Sequence, residues 1–181
     1  MSNQNLKKGI IRYLRPLPVI LCLSIVGVSS VTLAAVVNHM DVPTFIASLS
    51  AKKVTASELK QGKLRNALLI DVRSPEEYAE DRIGNSLLVP LTDIQTGFGV
   101  HQIRVIAQKY IQTNHTQPTI VLYCTAGPRS FKAYKELEKT GLNFVVLEGG
   151  IRVWRLAIPA SKDAETLAPI TAPAKEVVRG K

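Results

Sequence analysis

Cysteine is scarce in this 181-residue chain, which carries only Cys22 and Cys124. Because Cys22 lies inside a long apolar segment, we expect the two sulfurs not to meet, and a disulfide framework is excluded. The three histidines (His39, His101 and His115) are scattered without the spacing of metal ligands, so we predict no metal site. A single cysteine outside the apolar segment is typical of a free, reactive thiol.

Aromatic residues make up only 6% of the chain, and no basic stripe with interleaved aromatics accompanies the net charge of +9. Residues 1–16 supply four of these positive charges, with no acidic residue among them, and residues 161–181 add a net charge of +1. The charge left for the rest of the chain is mild for a domain of this size. A nucleic-acid partner is therefore not expected.

A 21-residue segment, 17–37, is apolar or small throughout and contains no charged side chain. A helix of about 20 residues spans the hydrocarbon core of a bilayer, and basic residues before it hold that side in the cytoplasm. We predict a cytoplasmic N-terminus over 1–16, a single-pass anchor over 17–37 and a domain on the non-cytoplasmic side. The alternative is a signal peptide cleaved near Ala34, which would leave a secreted or periplasmic domain. The apolar stretch exceeds the usual ~7–15 residues of a signal core and favours the anchor.

The rest of the chain divides by composition into three parts. Residues 38–53 are interpreted as a linker, 54–159 as the folded domain, and 160–181, which lack periodicity, as a disordered tail. Within 54–159, apolar runs alternate with helical patterns, which predicts an α/β fold with a mainly parallel central sheet flanked by helices.

Local signals place the elements of this domain. Apolar runs predict strands over 68–70, 87–89, 119–123 and 144–147. Ser74, Pro75 and Glu77 have the pattern of an N-cap, a first helical residue and a capping-box partner. Helical spacing predicts an amphipathic helix over 100–112, a helix marked by Phe131 with a C-terminal cap at Gly141, and a short last helix around a core tryptophan.

Cys124 follows the predicted strand 119–123, and a turn at Gly127 leads into a helical pattern that begins at Arg129. The thiol would lie over a helix N-terminus, where unpaired N–H groups and a partial positive charge favour the nucleophilic thiolate. Arg129 adds a permanent cation. The alternative is a buried core cysteine, since free cysteine is among the most buried residue types.

Four segments in order resemble the motifs of single-domain rhodaneses. Segment 71–78 resembles the family's Asp-Val-Arg-x-x-x-Glu-Tyr signature, and 82–90 its His-Ile-x-Gly-Ala-x-x-Ile-Pro segment. Segment 124–130 resembles the active-site loop, and 147–150 with Trp154 and Pro159 the closing motif. The resemblance covers about 54–159 and implies a rhodanese-like fold. It also implies a sulfurtransferase that moves sulfane sulfur from a donor such as thiosulfate to a thiol or cyanide acceptor, through a Cys124 persulfide and without a cofactor.

The resemblance also implies roles for the residues around the thiol. Backbone N–H groups curled around a common centre would bind the transferred sulfur as an anion nest, and the substrate-binding residues are Thr125, Ala126, Gly127, Pro128, Arg129 and Ser130. Structural support is expected from Asp71 and Arg73 as a buried ion pair, and from a tight turn at Gly149 and Gly150. Glu77 is interpreted simply as a helix cap.

Two positions depart from the family pattern. Arg82 stands where histidine is common, which we expect to affect only local packing. Thr125 stands where a cation is common, which would weaken recognition of an anionic donor. Arg129 would either bind such a donor or brace the loop, and we favour bracing with general electrostatic help.

Loop length argues against a cysteine phosphatase, whose loop has five residues between cysteine and arginine; this chain has four between Cys124 and Arg129. Two other hypotheses stay open. One is a membrane-tethered adaptor that binds proteins without turnover. The other is a persulfide relay that delivers sulfur to a protein acceptor of unknown identity, without thiosulfate turnover.

Overall fold

The computed structural model describes residues 30–34, 36 and 40–167, and the chain divides into two compact units, 1–42 and 43–181. Residues 30–34 and 36 are helical. No helix within the described residues combines the length and the apolar character that a bilayer span requires. The anchor predicted over 17–37 lies mostly outside the described residues.

The second unit is built on a five-stranded sheet of order β1-β5-β4-β2-β3, and the strands pair in parallel. The strands are β1 (Lys53–Val54), β2 (Ala67–Asp71), β3 (Leu87–Leu88), β4 (Thr119–Tyr123) and β5 (Phe144–Leu147). The predicted strands 119–123 and 144–147 are confirmed at both ends. The α/β fold with a parallel sheet is therefore confirmed.

Helices cover both faces of the sheet. The helices from residue 42 to residue 167 are α1 (Val42–Ser50), α2 (Ala56–Lys60), α3 (Pro75–Glu80), α4 (Leu91–Gln95), α5 (Phe98–Asn114), α6 (Pro128–Leu137), α7 (Gly150–Ala157) and α8 (Asp163–Leu167). Side chains of α2, α7 and α8 share one core with Val121 and Tyr123 of β4. Side chains of α4, α5 and α6 share the other with Leu122 and Cys124. Successive residues of a strand face opposite ways, so burial on both faces explains the unbroken apolar runs of the sequence.

The predicted start of α3 is confirmed. Ser74 Oγ accepts a hydrogen bond from the Glu77 N–H at 3.3 Å, and the Glu77 carboxylate accepts one from the Ser74 N–H at 3.3 Å. These reciprocal bonds satisfy two N–H groups that have no partner within the helix. Gly141, at φ +80°, ends the turn that follows α6, as its sequence position predicted.

The linker prediction for 38–53 is wrong over α1 and the first residue of β1. α1 turns Thr44, Ala47 and Ser48 inward, and all three are buried. Small and polar side chains form its buried face, so the apolar pattern of the sequence gave no core-facing stripe to detect.

The prediction of a disordered tail over 160–181 is wrong for 160–167. Residues Ala160–Lys162 form a 3₁₀ turn, and α8 follows directly. Asp163 is 4% exposed and accepts hydrogen bonds from Trp154 Nε1 at 2.8 Å and from the Gly84 N–H at 2.9 Å. Leu167, also 4% exposed, belongs to the core. One buried carboxylate and one apolar side chain attach this segment to the domain. Two such residues are too few to give the sequence a periodic pattern. Residues 168–181 lie outside the described residues.

Candidate active site

The cysteine lies at the carboxyl end of a central strand. Cys124 directly follows β4, is 1% exposed and is a free thiol. The Gly127 N–H donates a hydrogen bond to Cys124 Sγ at 3.1 Å. Gly127 has φ +124°, a conformation that side chains disfavour. The loop thus bends back so that a main-chain amide faces the sulfur, an arrangement that stabilises negative charge on it.

The N-terminus of α7 holds this loop from the other side. The Ile151 N–H donates to the Cys124 carbonyl at 2.9 Å, and the Arg152 N–H donates to the Thr125 carbonyl at 3.1 Å. Gly150, at φ +60°, makes this approach feasible, because a Cβ there would lie 2.2 Å from the Cys124 carbonyl oxygen. The two glycines singled out in the sequence therefore stand beside the loop, and Gly150 is the one in close contact with it.

The Arg129 guanidinium is bound by a carboxylate. It donates to Glu77 Oε2 at 2.5 Å, to Glu77 Oε1 at 2.8 Å and to Thr125 Oγ1 at 2.8 Å. Thr125 Oγ1 in turn donates to Glu77 Oε1 at 2.9 Å. These bonds join both ends of the loop to the first turn of α3, which favours the bracing role for Arg129.

Electrostatics within this trio follow from the same contacts. Hydrogen bonds from Arg129, above all, lower the pKa of Glu77 to about 2. Hydrogen bonds to Glu77 raise the pKa of Arg129. Sequence reasoning missed this second role of Glu77. No local signal marks it, because Glu77 and Arg129 meet only through the pairing of β2 with β4.

Fewer main-chain N–H groups are available to the predicted amide nest than the segment 125–130 has residues. Pro128 has no backbone N–H and offers nothing to it. Ser130 is fully buried, and its hydroxyl has no hydrogen-bond partner within the described part of the chain. Ala126 is exposed and Pro128 partly so, which places them at the mouth of the loop. A buried hydroxyl without a hydrogen-bond partner keeps its donor available to a bound group.

Asp71 and Arg73 form the buried ion pair that the sequence predicted. Arg73 Nη2 lies 2.7 Å from Asp71 Oδ2, and both side chains are nearly inaccessible. The Arg73 N–H also donates to Asp71 Oδ1 at 2.9 Å, which fixes the chain as it leaves β2. Arg82 is exposed and lies over the ring of Tyr78 at 5.1 Å, a local packing contact.

Comparison with known proteins supplies the family. Residues 55–157 match the family model described as "Rhodanese-like domain". A protein of Allochromatium vinosum named "Sulfurtransferase" is 30% identical over 90 residues, which are 49% of this chain and 72% of that protein. "Probable adenylyltransferase/sulfurtransferase MoeZ" of Mycobacterium tuberculosis is 34% identical over 91 residues, 50% of this chain and 20% of that protein.

Among solved structures, a rhodanese-like domain protein from Staphylococcus aureus is 28% identical. It has a TM-score of 0.42 and covers 57% of this chain and 90% of its own. The matched segments span only 20% to 37% of the length of the first curated relatives that the chain resembles. The family model nevertheless covers more than half of this chain. The chain belongs to the rhodanese-like domain family.

Proposed function

We propose that this protein is a sulfurtransferase that carries a sulfane sulfur on Cys124 as a persulfide. The observation that carries the proposal is the Cys124 thiol at the end of β4, facing the Gly127 N–H in a loop held by α7. Membership of the rhodanese-like family supports it, and so do relatives whose names include sulfurtransferase.

The first step forms one S–S bond and breaks another. The Cys124 thiolate attacks the outer sulfur of a donor such as thiosulfate, the donor's S–S bond breaks, and sulfite leaves with the bonding electrons. The terminal sulfur of the resulting persulfide is anionic. The Gly127 N–H, which already donates a hydrogen bond to Cys124 Sγ, is the group placed to stabilise it.

In the second step, cyanide or a thiolate attacks the terminal sulfur, and the S–S bond to Cys124 breaks. The acceptor leaves as thiocyanate or as a new persulfide, and Cys124 becomes a thiolate again. Two easier displacements replace one difficult transfer. Neither step needs a cofactor. Arg129 and Thr125, held by Glu77, keep the loop in shape during both steps.

The experiment is a turnover assay of the full chain with thiosulfate and cyanide, alongside Cys124→Ser. The wild type should form thiocyanate, and the variant should form none while keeping its fold. Full activity in Cys124→Ser would refute the site. No turnover with any sulfane donor, combined with a stable protein partner, would favour the adaptor hypothesis.

We also propose that residues 17–37 anchor the protein as a single-pass segment with a cytoplasmic N-terminus. The uncharged 21-residue run and the four basic residues before it support this placement. Alkaline extraction of membranes tests it. An anchored protein stays in the membrane pellet, whereas a domain cleaved near Ala34 is released and its intact mass lacks the N-terminal segment.

A further inference from the structure

Glu77 is the centre of a hydrogen-bond cluster that holds two polar side chains of the active loop, Thr125 and Arg129. Its carboxylate accepts two hydrogen bonds from Arg129 and one from the Thr125 hydroxyl, at 2.5 to 2.9 Å. The Glu77 and Arg129 side chains are 33% and 37% exposed, so water reaches the pair only partly.

This cluster neutralises the charge of the loop. Arg129 is the only basic residue in segment 124–130, and its charge is opposed by the carboxylate it contacts. Because the pKa of Glu77 is lowered to about 2, mainly by Arg129, the carboxylate is ionised throughout the neutral range. The Thr125 hydroxyl proton is also directed to Glu77 rather than to an incoming donor.

Charge near the thiol decides which sulfur donors can approach it. Thiosulfate brings two negative charges to a nucleophile that is 1% exposed, and a free cation would offset part of that repulsion. A cation already paired offsets much less, because the field of its partner cancels most of its own. A persulfide, R–S–SH, arrives without the sulfonate charges.

We propose that Glu77 sets the donor class of this site: by occupying Arg129 it favours persulfide donors over thiosulfate. The reaction is Cys124–S⁻ + R–S–SH → Cys124–S–SH + R–S⁻. The new S–S bond forms at Cys124, the donor's S–S bond breaks, and its electron pair leaves with the thiolate. The inference rests on the proposed sulfurtransferase function and names its donor.

The test compares two donors on the full chain: thiosulfate and the persulfide of N-acetylcysteine amide, which carries no other charge. The rate of persulfide formation on Cys124 is measured for each by intact mass, and the thiosulfate-to-persulfide ratio of kcat/KM is the readout. The ratio cancels any general loss of activity from a loosened loop. The wild type should prefer the persulfide.

Glu77→Gln keeps the length of the side chain but removes its charge, and should raise the ratio by about twofold to fivefold, the size expected for one partly exposed charge. Arg129→Gln, which leaves the carboxylate unopposed, should lower the ratio. The double variant Glu77→Gln/Arg129→Gln should return it toward the wild-type value. A merely structural role for Glu77 would not produce these opposite changes.

Glu58→Gln is the matched control. Glu58 is also a capping-box glutamate, bonded to Thr55, and it also pairs with a basic side chain, Lys63 at 3.2 Å. Its change should leave the ratio as it is. A wild type that prefers thiosulfate, or a ratio unmoved by Glu77→Gln while Cys124 still gains sulfur, overturns this inference alone. If Cys124 gains sulfur from neither donor, the proposed sulfurtransferase function is refuted together with this inference.

Discussion

Replacing Gly150 by alanine tests whether α7 fixes the active loop. A Cβ at this position would lie 2.2 Å from the Cys124 carbonyl oxygen and 2.8 Å from the carbonyl carbon and oxygen of Thr125. These are main-chain atoms and cannot turn aside as a flexible side chain could. The loop or the start of α7 must therefore move, and the hydrogen bonds from Ile151 and Arg152 to the loop carbonyls must lengthen.

The expected cost has two parts. A left-handed backbone costs a residue with a Cβ about 1–2 kcal/mol, and forcing extra volume into a packed site costs about 1–3 kcal/mol more. We therefore expect Gly150→Ala to lower the free energy of unfolding by about 2–5 kcal/mol. Gly141→Ala is the control, because Gly141 also has a positive φ, +80°, but has no atom within 4 Å of an added Cβ. Gly141→Ala should therefore lower the free energy of unfolding by only the backbone cost of about 1–2 kcal/mol.

Urea unfolding followed by fluorescence measures this difference, since the chain has a single tryptophan, Trp154, and it is fully buried. The rate of persulfide formation on Cys124 is measured on the same samples. Displacement of a reacting group by about 1 Å can cost about 100-fold in rate, so Gly150→Ala should be strongly slowed and Gly141→Ala should not. Equal stability losses in the two variants, with equal rates, would refute the role assigned to α7.

Three further outcomes follow from the structure. Asp163→Ala removes the acceptor of the buried Trp154 Nε1–H and of the Gly84 N–H, and leaves Arg155 paired with Asp81 alone. It should lower the free energy of unfolding in urea by about 2–4 kcal/mol. A loss within error of zero would contradict the attachment of residues 160–167 to the domain. The lowered pKa of Glu77 stabilises the fold above pH 4.5, its ordinary value, and this contribution is lost as the pH falls toward about 2. Allowing for solvent screening, it amounts to about 1–2 kcal/mol. Glu77→Gln should therefore flatten the acid side of the stability profile, and an unchanged acid side would count against the ion pair. Asp71→Ala leaves the Arg73 guanidinium buried without its partner. It should lower the free energy of unfolding, measured in urea, by about 3–5 kcal/mol. A loss no larger than that of an exposed ion pair would argue against a buried Asp71–Arg73 pair.

Much of the fold was predictable because its signals are local. The ends of β4 and β5 coincide with the ends of two apolar runs, and the start of α3 coincides with a capping box. Each signal lies within a few adjacent residues, where periodicity and capping chemistry act. The same local order of strand, turn and helix predicted that Cys124 faces a helix N-terminus, and the N–H that donates to its sulfur belongs to Gly127, the residue just before α6.

What the sequence did not reveal depends on contacts between distant residues. Glu77 and Arg129 are 52 positions apart, and Asp163 binds the Gly84 N–H across 79 positions. No spacing rule connects such residues; only the strand order brings them together. α1 escaped detection for another reason, since its buried face is made of small and polar side chains.

The most direct test of the central claim is the intact mass of the full chain after exposure to thiosulfate or to a small persulfide, with Cys124→Ser treated in parallel. The account predicts that the wild type gains the mass of one sulfur atom, that cyanide removes it as thiocyanate, and that Cys124→Ser gains nothing. A wild type that gains no sulfur from either donor, or a Cys124→Ser variant that gains as much as the wild type, would contradict it.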